Sequence, residues 1–350
     1  MTQFINNKIN MKKLFLSIFL FWSFLLTGCS NVTQQKNATE CDLPTLRFHD
    51  DGTFKIVQFT DLHLKHLPAS DVAYERVNQV LDEEKPDLTV FTGDVIYERG
   101  AQDLMCKVVQ LCADRKIPFA VAFGNHDWEQ GQPNDTLYEM LRQIPFCVMP
   151  ELGEGSAARD FALPVLSHAN DSAAALVYIF DSNAYSQQKG VGGYAYVEFD
   201  QIAHYRALSA SYTTANGGNP LPAVAYMHIP VPEYSFAWHD TRWPRYGLRE
   251  EEECASKLNT GLFAAFRERG DVMGMFCGHD HIDDYAVAYY NLLLAYGRYS
   301  GGNTVYNGLP GGNGARIVVL HEGERSLETW IHTAEGISQQ TFFPKDYIIE

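Results

Sequence analysis

Six stretches of this chain are almost uninterruptedly apolar: FKIVQFT at 54–60, DLTVFTG at 87–93, PFAVAFG at 118–124, ALVYIFDS at 175–182, AVAYMHI at 223–229 and VMGMFCG at 272–278. A strand with one wet face alternates apolar and polar residues, so strands that do not alternate must be covered on both faces. Between them lie segments with apolar residues at helical spacing: 71–84, which ends before Pro86, then 101–115, 135–143, 200–211 and 255–269. A strand-rich tail follows, with AVAYYN, LLLAYG, ARIVVLH and LETWIHT. Strand and helix in alternation, then strands alone, predict one α/β domain holding two packed sheets. The segments 151–170 and 211–222 read as loops, and 297–314, with seven glycines, as a long surface loop close to a functional site.

The polar residues are concentrated where the apolar runs stop. Asp61 and His63 follow the first run, Asp94 the second, Asn125, His126 and Asp127 the third, His228 the fifth, and His279 and His281 the sixth. Ligands of open α/β sheets bind beyond the carboxyl ends of the strands. Five such ends meeting would gather carboxylates, an amide and several imidazoles in one cleft. Without cations that cluster is expensive, because neighbouring carboxylates raise each other's pKa and an unpaired buried charge costs several kcal/mol. Metal ions reverse the sign. Aspartate and imidazole suit Mn, Fe or Zn, and the lack of cysteine argues against a structural zinc site. Glycine before Asp94, Asn125 and His279 permits sharp turns and close backbone approach.

Taken in order, DxH (61–63), GDVIY (93–97), GNHD (124–127), a lone His228 and GHDH (278–281) resemble the calcineurin-like metallophosphoesterase superfamily over nearly all of the chain from Phe54 to His332. GDVIY has the GDxxY form of its purple-acid-phosphatase branch. The resemblance implies a four-layer αββα sandwich, two mixed β-sheets flanked by helices. It implies one metal held by Asp61, His63, Asp94 and His281, and a second held by Asp94, Asn125, His228 and His279, with Asp94 bridging. It implies hydrolysis of phosphomonoesters by a hydroxide shared between the two ions. His126 would stay off the metals, face the substrate phosphate and protonate the leaving group. Asp127 would either orient His126 or cap the following helix. The branch usually has DxG in its first motif and uses the GDxxY tyrosine as a ligand. Here His63 fills that position, so Tyr97 is expected beside the site rather than in it.

No GxSxG or P-loop offers another nucleophile or phosphate cradle. Diester or nucleotide hydrolysis at the same site is the alternative activity. A silent binding module would have lost ligands, and all seven expected ligands are present. Arg298 and Arg316 flank the glycine-rich loop, where they either meet an anionic substrate or belong to the scaffold. The segment after His228 either walls the pocket or packs as a loop, with His239 in it solvent-exposed or structural. Asp283 and Asp284 are expected to orient ligands or cap a turn, and Cys277 to fill core space.

A formal charge of −16 disfavours nucleic acid as a stable partner. Lys12 and Lys13 precede an uncharged run at 14–26, too short to span a bilayer and shaped like the apolar part of an export signal. It ends in Leu26-Thr27-Gly28-Cys29, which resembles a bacterial lipobox. Residues 1–28 are therefore expected to be removed, 29–45 to form a tether, and 46–350 to form the domain. A lipid on Cys29 would anchor the protein at the cell envelope, periplasmic or outside. An exported chain could also pair some of its cysteines.

Overall fold

The computed structural model describes residues 43–348. The expected signal peptide, lipidation at Cys29, most of the tether, and Cys41 lie outside these residues. In chain order the strands are β1 (Leu46–Arg47), β2 (Thr53–Phe59), β3 (Leu88–Thr92), β4 (Phe119–Ala122), β5 (Phe161–Leu166), β6 (Ala173–Ile179), β7 (Ala223–Tyr226), β8 (Arg245–Tyr246), β9 (Val272–Cys277), β10 (Ala286–Tyr289), β11 (Leu292–Tyr296), β12 (Gly314–His321), β13 (Leu327–Thr333) and β14 (Gly336–Phe343). The helices are α1 (Asp71–Glu84), α2 (Gln102–Asp114), α3 (Asn125–Trp128), α4 (Asn134–Arg142), α5 (Phe199–Ala215), α6 (Glu233–His239) and α7 (Leu262–Arg269).

Two mixed sheets result. One has six strands in the order β14-β13-β12-β2-β3-β4, and the other eight in the order β1-β5-β6-β7-β9-β11-β10-β8. In the first, β2, β3 and β4 are parallel neighbours; in the second, β6, β7, β9 and β11 are. Their unbroken apolar character follows from double coverage. Along β6, Ala175, Val177 and Ile179 join the core shared with the six-stranded sheet, while Leu176 and Tyr178 join a second core. That second core is closed by Tyr205 of α5, Tyr234 of α6 and Phe266 of α7. Helices α1 and α2 cover the outer face of the six-stranded sheet with Val77, Val80, Val108 and Val109. The layers are thus helix, sheet, sheet, helix, the αββα sandwich expected.

Three local expectations are corrected. Segment 151–170 is not all loop, because β5 pairs with both β1 and β6 despite Pro164. Proline within an apolar run speaks against an internal strand, and here tertiary pairing overrides it. Helix α7 starts at Leu262 rather than 255. Before it, Asn259 Oδ1 accepts the Gly261 N–H at 2.9 Å and Thr260 Oγ1 donates to the Val197 carbonyl at 2.5 Å. Such bonds offer the backbone an alternative to helix. The segment after His228 forms α6, with His239 exposed at its end, rather than a loop.

The buried arginines are scaffold. Arg298 bonds the Asp284 carboxylate and the carbonyls of Gly312 at 2.6 Å and Pro310 at 2.5 Å, pinning the glycine-rich loop. Arg316 donates to the carbonyls of Tyr296 at 2.5 Å and Asp284 at 2.6 Å, and to Thr329 Oγ1 at 3.0 Å. Neither guanidinium is spare for an anion. The five cysteines among the described residues, Cys106, Cys112, Cys147, Cys254 and Cys277, are all free. No helix among the described residues is long and apolar enough to cross a membrane.

Candidate metal centre

The carboxyl ends of β2, β3 and β4 face those of β7 and β9, one group from each sheet. Asp61 and His63 come from the first, Asp94 from the second, Asn125 and His126 from the third, His228 from the fourth, and His279 and His281 from the last. Four of these residues have left-handed backbone: Asp61 at φ 57°, His63 at 46°, Asp94 at 50° and His279 at 82°. Each such residue costs on the order of 1–3 kcal/mol, and such strain collects at functional sites. The chain turns abruptly after each strand and throws its next side chain into the seam. Glycine makes room for it. A Cβ on Gly124 would overlap the Asp94 carboxylate, and one on Gly278 would overlap Thr60 Oγ1 and Asp61.

Three overlapping sets result: Asp61, His63 and His281; His63, Asp94 and His126; Asp94, His228 and His279. Within each set one ligand atom per residue lies within 4.8 Å of the others. Asp94 stands at the centre. Its Oδ2 is 3.1 Å from His228 Nε2 and 3.4 Å from His63 Nε2, and its Oδ1 accepts the His126 N–H at 2.7 Å. The imidazoles are held from behind. His228 Nδ1 donates to the Thr92 carbonyl at 2.7 Å, and His281 Nδ1 to the Tyr306 carbonyl at 3.0 Å. Each bond leaves Nε2 free to ligate, the usual arrangement behind a metal-bound histidine.

Buried polar atoms are nearly always hydrogen-bonded. Here Asp61 Oδ1, both ring nitrogens of His63, Asn125 Oδ1 and His279 Nε2 are buried without a partner. Lone pairs and carboxylates gathered this way fit hard or borderline cations. The electrostatics are those of a cation site. Burial opposes the Asp94 charge, but His228 and His63 hold its carboxyl well below the usual range. Burial likewise opposes protonation of His228, yet Asp94, followed by Asp61, lifts it to about 10. That proton must leave before His228 can ligate. Metal loading is therefore expected to release protons, and affinity to rise with pH. Calorimetric titration of Mn²⁺ or Zn²⁺ in buffers of different ionisation enthalpy reads both. Uptake independent of buffer and pH would remove His228 from the ligand set.

His126 is the most open member of these sets. Its side chain is 25% exposed, and its Nδ1 lies 2.6 Å from Glu129 Oε2. Asp127 does not reach it. The Asp127 carboxylate accepts the N–H groups of Val95 at 2.9 Å, Ile96 at 3.1 Å and Gly124 at 2.9 Å. It clamps the turns after β3 and β4 together and caps α3, the second of the two roles expected for it. Its oxygens are turned to those three backbone donors, and the imidazole bonds Glu129 instead. Tyr97 packs edge-on to His63, with ring centroids 5.3 Å apart, and lies 4.4 Å from His126. Asp283 accepts the N–H groups of Glu250 and Glu251, capping a turn.

Sequence reasoning missed four neighbours. Glu129 lies three residues beyond His126, a spacing that brings side chains together on a helical turn and could have been read. Tyr185 donates to Glu129 at 2.6 Å and accepts from Asn125 at 3.2 Å. Tyr194 sits edge-on to His279 at 4.3 Å, and Tyr306 stacks on His281 at 4.4 Å. Tyr306 arrives on the glycine-rich loop already expected near the site, whereas Tyr185 and Tyr194 arrive on a distant loop that was not singled out.

Fold and site together define a two-sheet α/β protein with a cluster of aspartates and histidines able to hold metal at the seam of its sheets. The chain belongs to the calcineurin-like phosphoesterase family, whose model matches residues 54–283. It is 28% identical to probable inactive purple acid phosphatase 14 of Arabidopsis thaliana, across 72% of this chain and 71% of that one. It is 32% identical to the phosphatase DCR2 of Saccharomyces cerevisiae, across 80% of this chain and 54% of that one. Among solved structures it is similar to a dimetal phosphatase from Danio rerio, with a TM-score of 0.56, 11% identity, and 83% of this chain and 98% of that chain covered. At that identity the likeness is one of fold.

Proposed function

We propose that this protein is a dinuclear metal-dependent phosphatase acting on phosphomonoesters. The observation that carries this is the set of unpartnered buried ligand atoms around Asp94. Asp61, His63, Asp94 and His281 would hold one ion, and Asp94, Asn125, His228 and His279 the other. When bound, Fe, Mn or Zn ions supply positive charge against the phosphoryl oxygens and acidify a water for attack on phosphorus. The protein's own part is positional. Thr92 and Tyr306 hold two imidazoles in the tautomer that ligates. Asp127 fixes the turns that carry Asp94 and Asn125. His126, fixed at Nδ1 by Glu129, is partly exposed at the edge of the site. There it contacts the phosphoryl group and protonates the departing alkoxide.

General acid catalysis of this kind is worth roughly 10²–10⁴-fold. His126→Ala is therefore expected to lower kcat on p-nitrophenyl phosphate less than on an alkyl phosphate, because p-nitrophenolate leaves without help. Bound metal should be unchanged. Metal loss in this variant would make His126 a ligand instead. The activity itself is tested with metal-loaded protein from residue 42 onward, assayed on p-nitrophenyl phosphate and bis-p-nitrophenyl phosphate across pH. Faster diester hydrolysis would move the reading to a phosphodiesterase.

The name of the Arabidopsis relative favours a second reading, a silent binding module. The complete ligand set here supports activity. Absence of turnover at full metal occupancy would decide for the module. The export reading rests on residues 1–29 alone. It places the enzyme at the cell envelope, on small phosphorylated substrates outside the cytoplasm. Metabolic labelling with a fatty-acid analogue is expected to mark the wild type and not Cys29→Ala. Label on neither would remove the anchor.

A further inference from the structure

The metal cluster does not account for the cavity beside it. A cleft of about 350 Å³ opens next to the site, lined by the segment after His126 and by the loop between β6 and α5. That is the lower end of the range for small-molecule sites, enough for one compact ring-bearing group. The wall common to both is Tyr185, which bonds Asn125 and Glu129 on one side and lines the cavity on the other. A group leaving phosphorus on the His126 side would depart into this space.

The lining has a definite chemistry. Trp128, 48% exposed, and the rings of Tyr185 and Tyr196 offer flat apolar faces. Around them the polar atoms include unused acceptors and the unused hydroxyl donors of Ser186 and Tyr196, each of which only accepts a bond from Gln188. Gln188 spends its amide nitrogen on Tyr196 Oη at 3.0 Å, and Gln187 spends its own on the Tyr185 carbonyl at 3.2 Å. The side-chain oxygen of Asn134, another lining residue, is buried with no partner. A ligand for this wall brings a ring and hydroxyl groups, which both donate and accept. Charge narrows it further. The one guanidinium of the lining, Arg159, is held by Asp135 and by Asp181 at 2.6 Å, and Glu198 adds a third carboxylate. Three carboxylates against one cation repel a second phosphate.

We infer that this cavity is the leaving-group subsite and that it takes an uncharged, ring-bearing, polyhydroxylated alcohol without further phosphates. This rests on the phosphatase reading and names its substrate class. Sugar monophosphates and nucleoside monophosphates both supply that alcohol. The loop between β6 and α5, rather than the segment after His228, is then what sets specificity.

Two measurements test it. In metal-loaded protein, glucose 6-phosphate or adenosine 5′-monophosphate is expected to show kcat/KM at least about tenfold above ethyl phosphate. The bisphosphate or diphosphate counterpart should fall back by a similar factor. Trp128→Ala should bring the ring-bearing substrate down to the level of ethyl phosphate and lower ethyl phosphate itself far less. The half-exposed indole is no part of the core, and Gln188→Ala, at an exposed position, repeats the test. The second measurement needs no turnover. Saturation-transfer NMR with glucose and with adenosine as probes should give signal from one of them in the wild type, and none in Trp128→Ala. The probe that responds separates sugar from nucleoside. Equal effects of Trp128→Ala on ring-bearing and ethyl substrates, preference for the second phosphate, or no transfer from either alcohol would overturn the subsite. Transfer without hydrolysis of any phosphomonoester would keep the subsite and overturn the phosphatase.

Discussion

Asp94→Asn is expected to leave a folded protein that retains little metal and loses about 10³-fold or more in kcat/KM on p-nitrophenyl phosphate. The size of the effect follows from position. One carboxylate oxygen faces both His228 and His63, and the other accepts the backbone N–H of His126. Asparagine keeps the volume but removes the charge that two overlapping ligand sets share. It also presents an amide nitrogen or a weakly basic oxygen where a cation would sit. Metal content by mass spectrometry, kinetics and a thermal melt should be taken on the same sample. A variant that keeps two ions and turns over normally would sink the proposed centre.

The second large effect concerns stability. Asp284→Ala is expected to destabilise the domain by about 3–5 kcal/mol, the usual result of stripping the partner from a buried charge. The Asp284 carboxylate is buried, pairs with Arg298, and accepts the Leu248 N–H at 2.8 Å and Gln339 Nε2 at 3.0 Å. Its removal leaves the Arg298 guanidinium in the interior with carbonyl partners only, and frees the glycine-rich loop that Arg298 pins. Urea denaturation checks it. The double variant Asp284→Ala/Arg298→Met should recover part of the loss, because it removes the unpaired charge. A single-variant loss under about 1 kcal/mol would show the pair to be dispensable.

Much of this was written locally. Double coverage of the parallel strands shows in FKIVQFT and VMGMFC because covered strands exclude polar residues. Helix α1 is bounded by Pro86, which forbids continuation. Aspartate and histidine follow the strands, where the covered apolar runs end. Other features were illegible for equally physical reasons. Strand β5 carries Pro164 and is held by its two neighbours, and β14, GISQQTFF, is a largely exposed edge strand whose polar residues carry no period. Arg298 and Arg316 read as candidate anion binders because a sequence cannot say which carbonyls will surround a guanidinium. Asp127 read as a possible partner of His126 by adjacency, yet Glu129 takes that place, since α3 turns the two consecutive side chains apart.

The sequence alone determined the two-sheet class and the strand ends at which aspartate and histidine gather, because burial demands apolar side chains along covered strands and confines polar ones to their ends. Only the tertiary structure decided that β2, β3 and β4 lie in one sheet and β7 and β9 in the other, so that the centre forms at their seam. The same holds for Tyr185, Tyr194 and Tyr306, and for the cavity beside them. Those contacts join segments far apart in the chain, and no local pattern of residues encodes which distant loops will pack against each other.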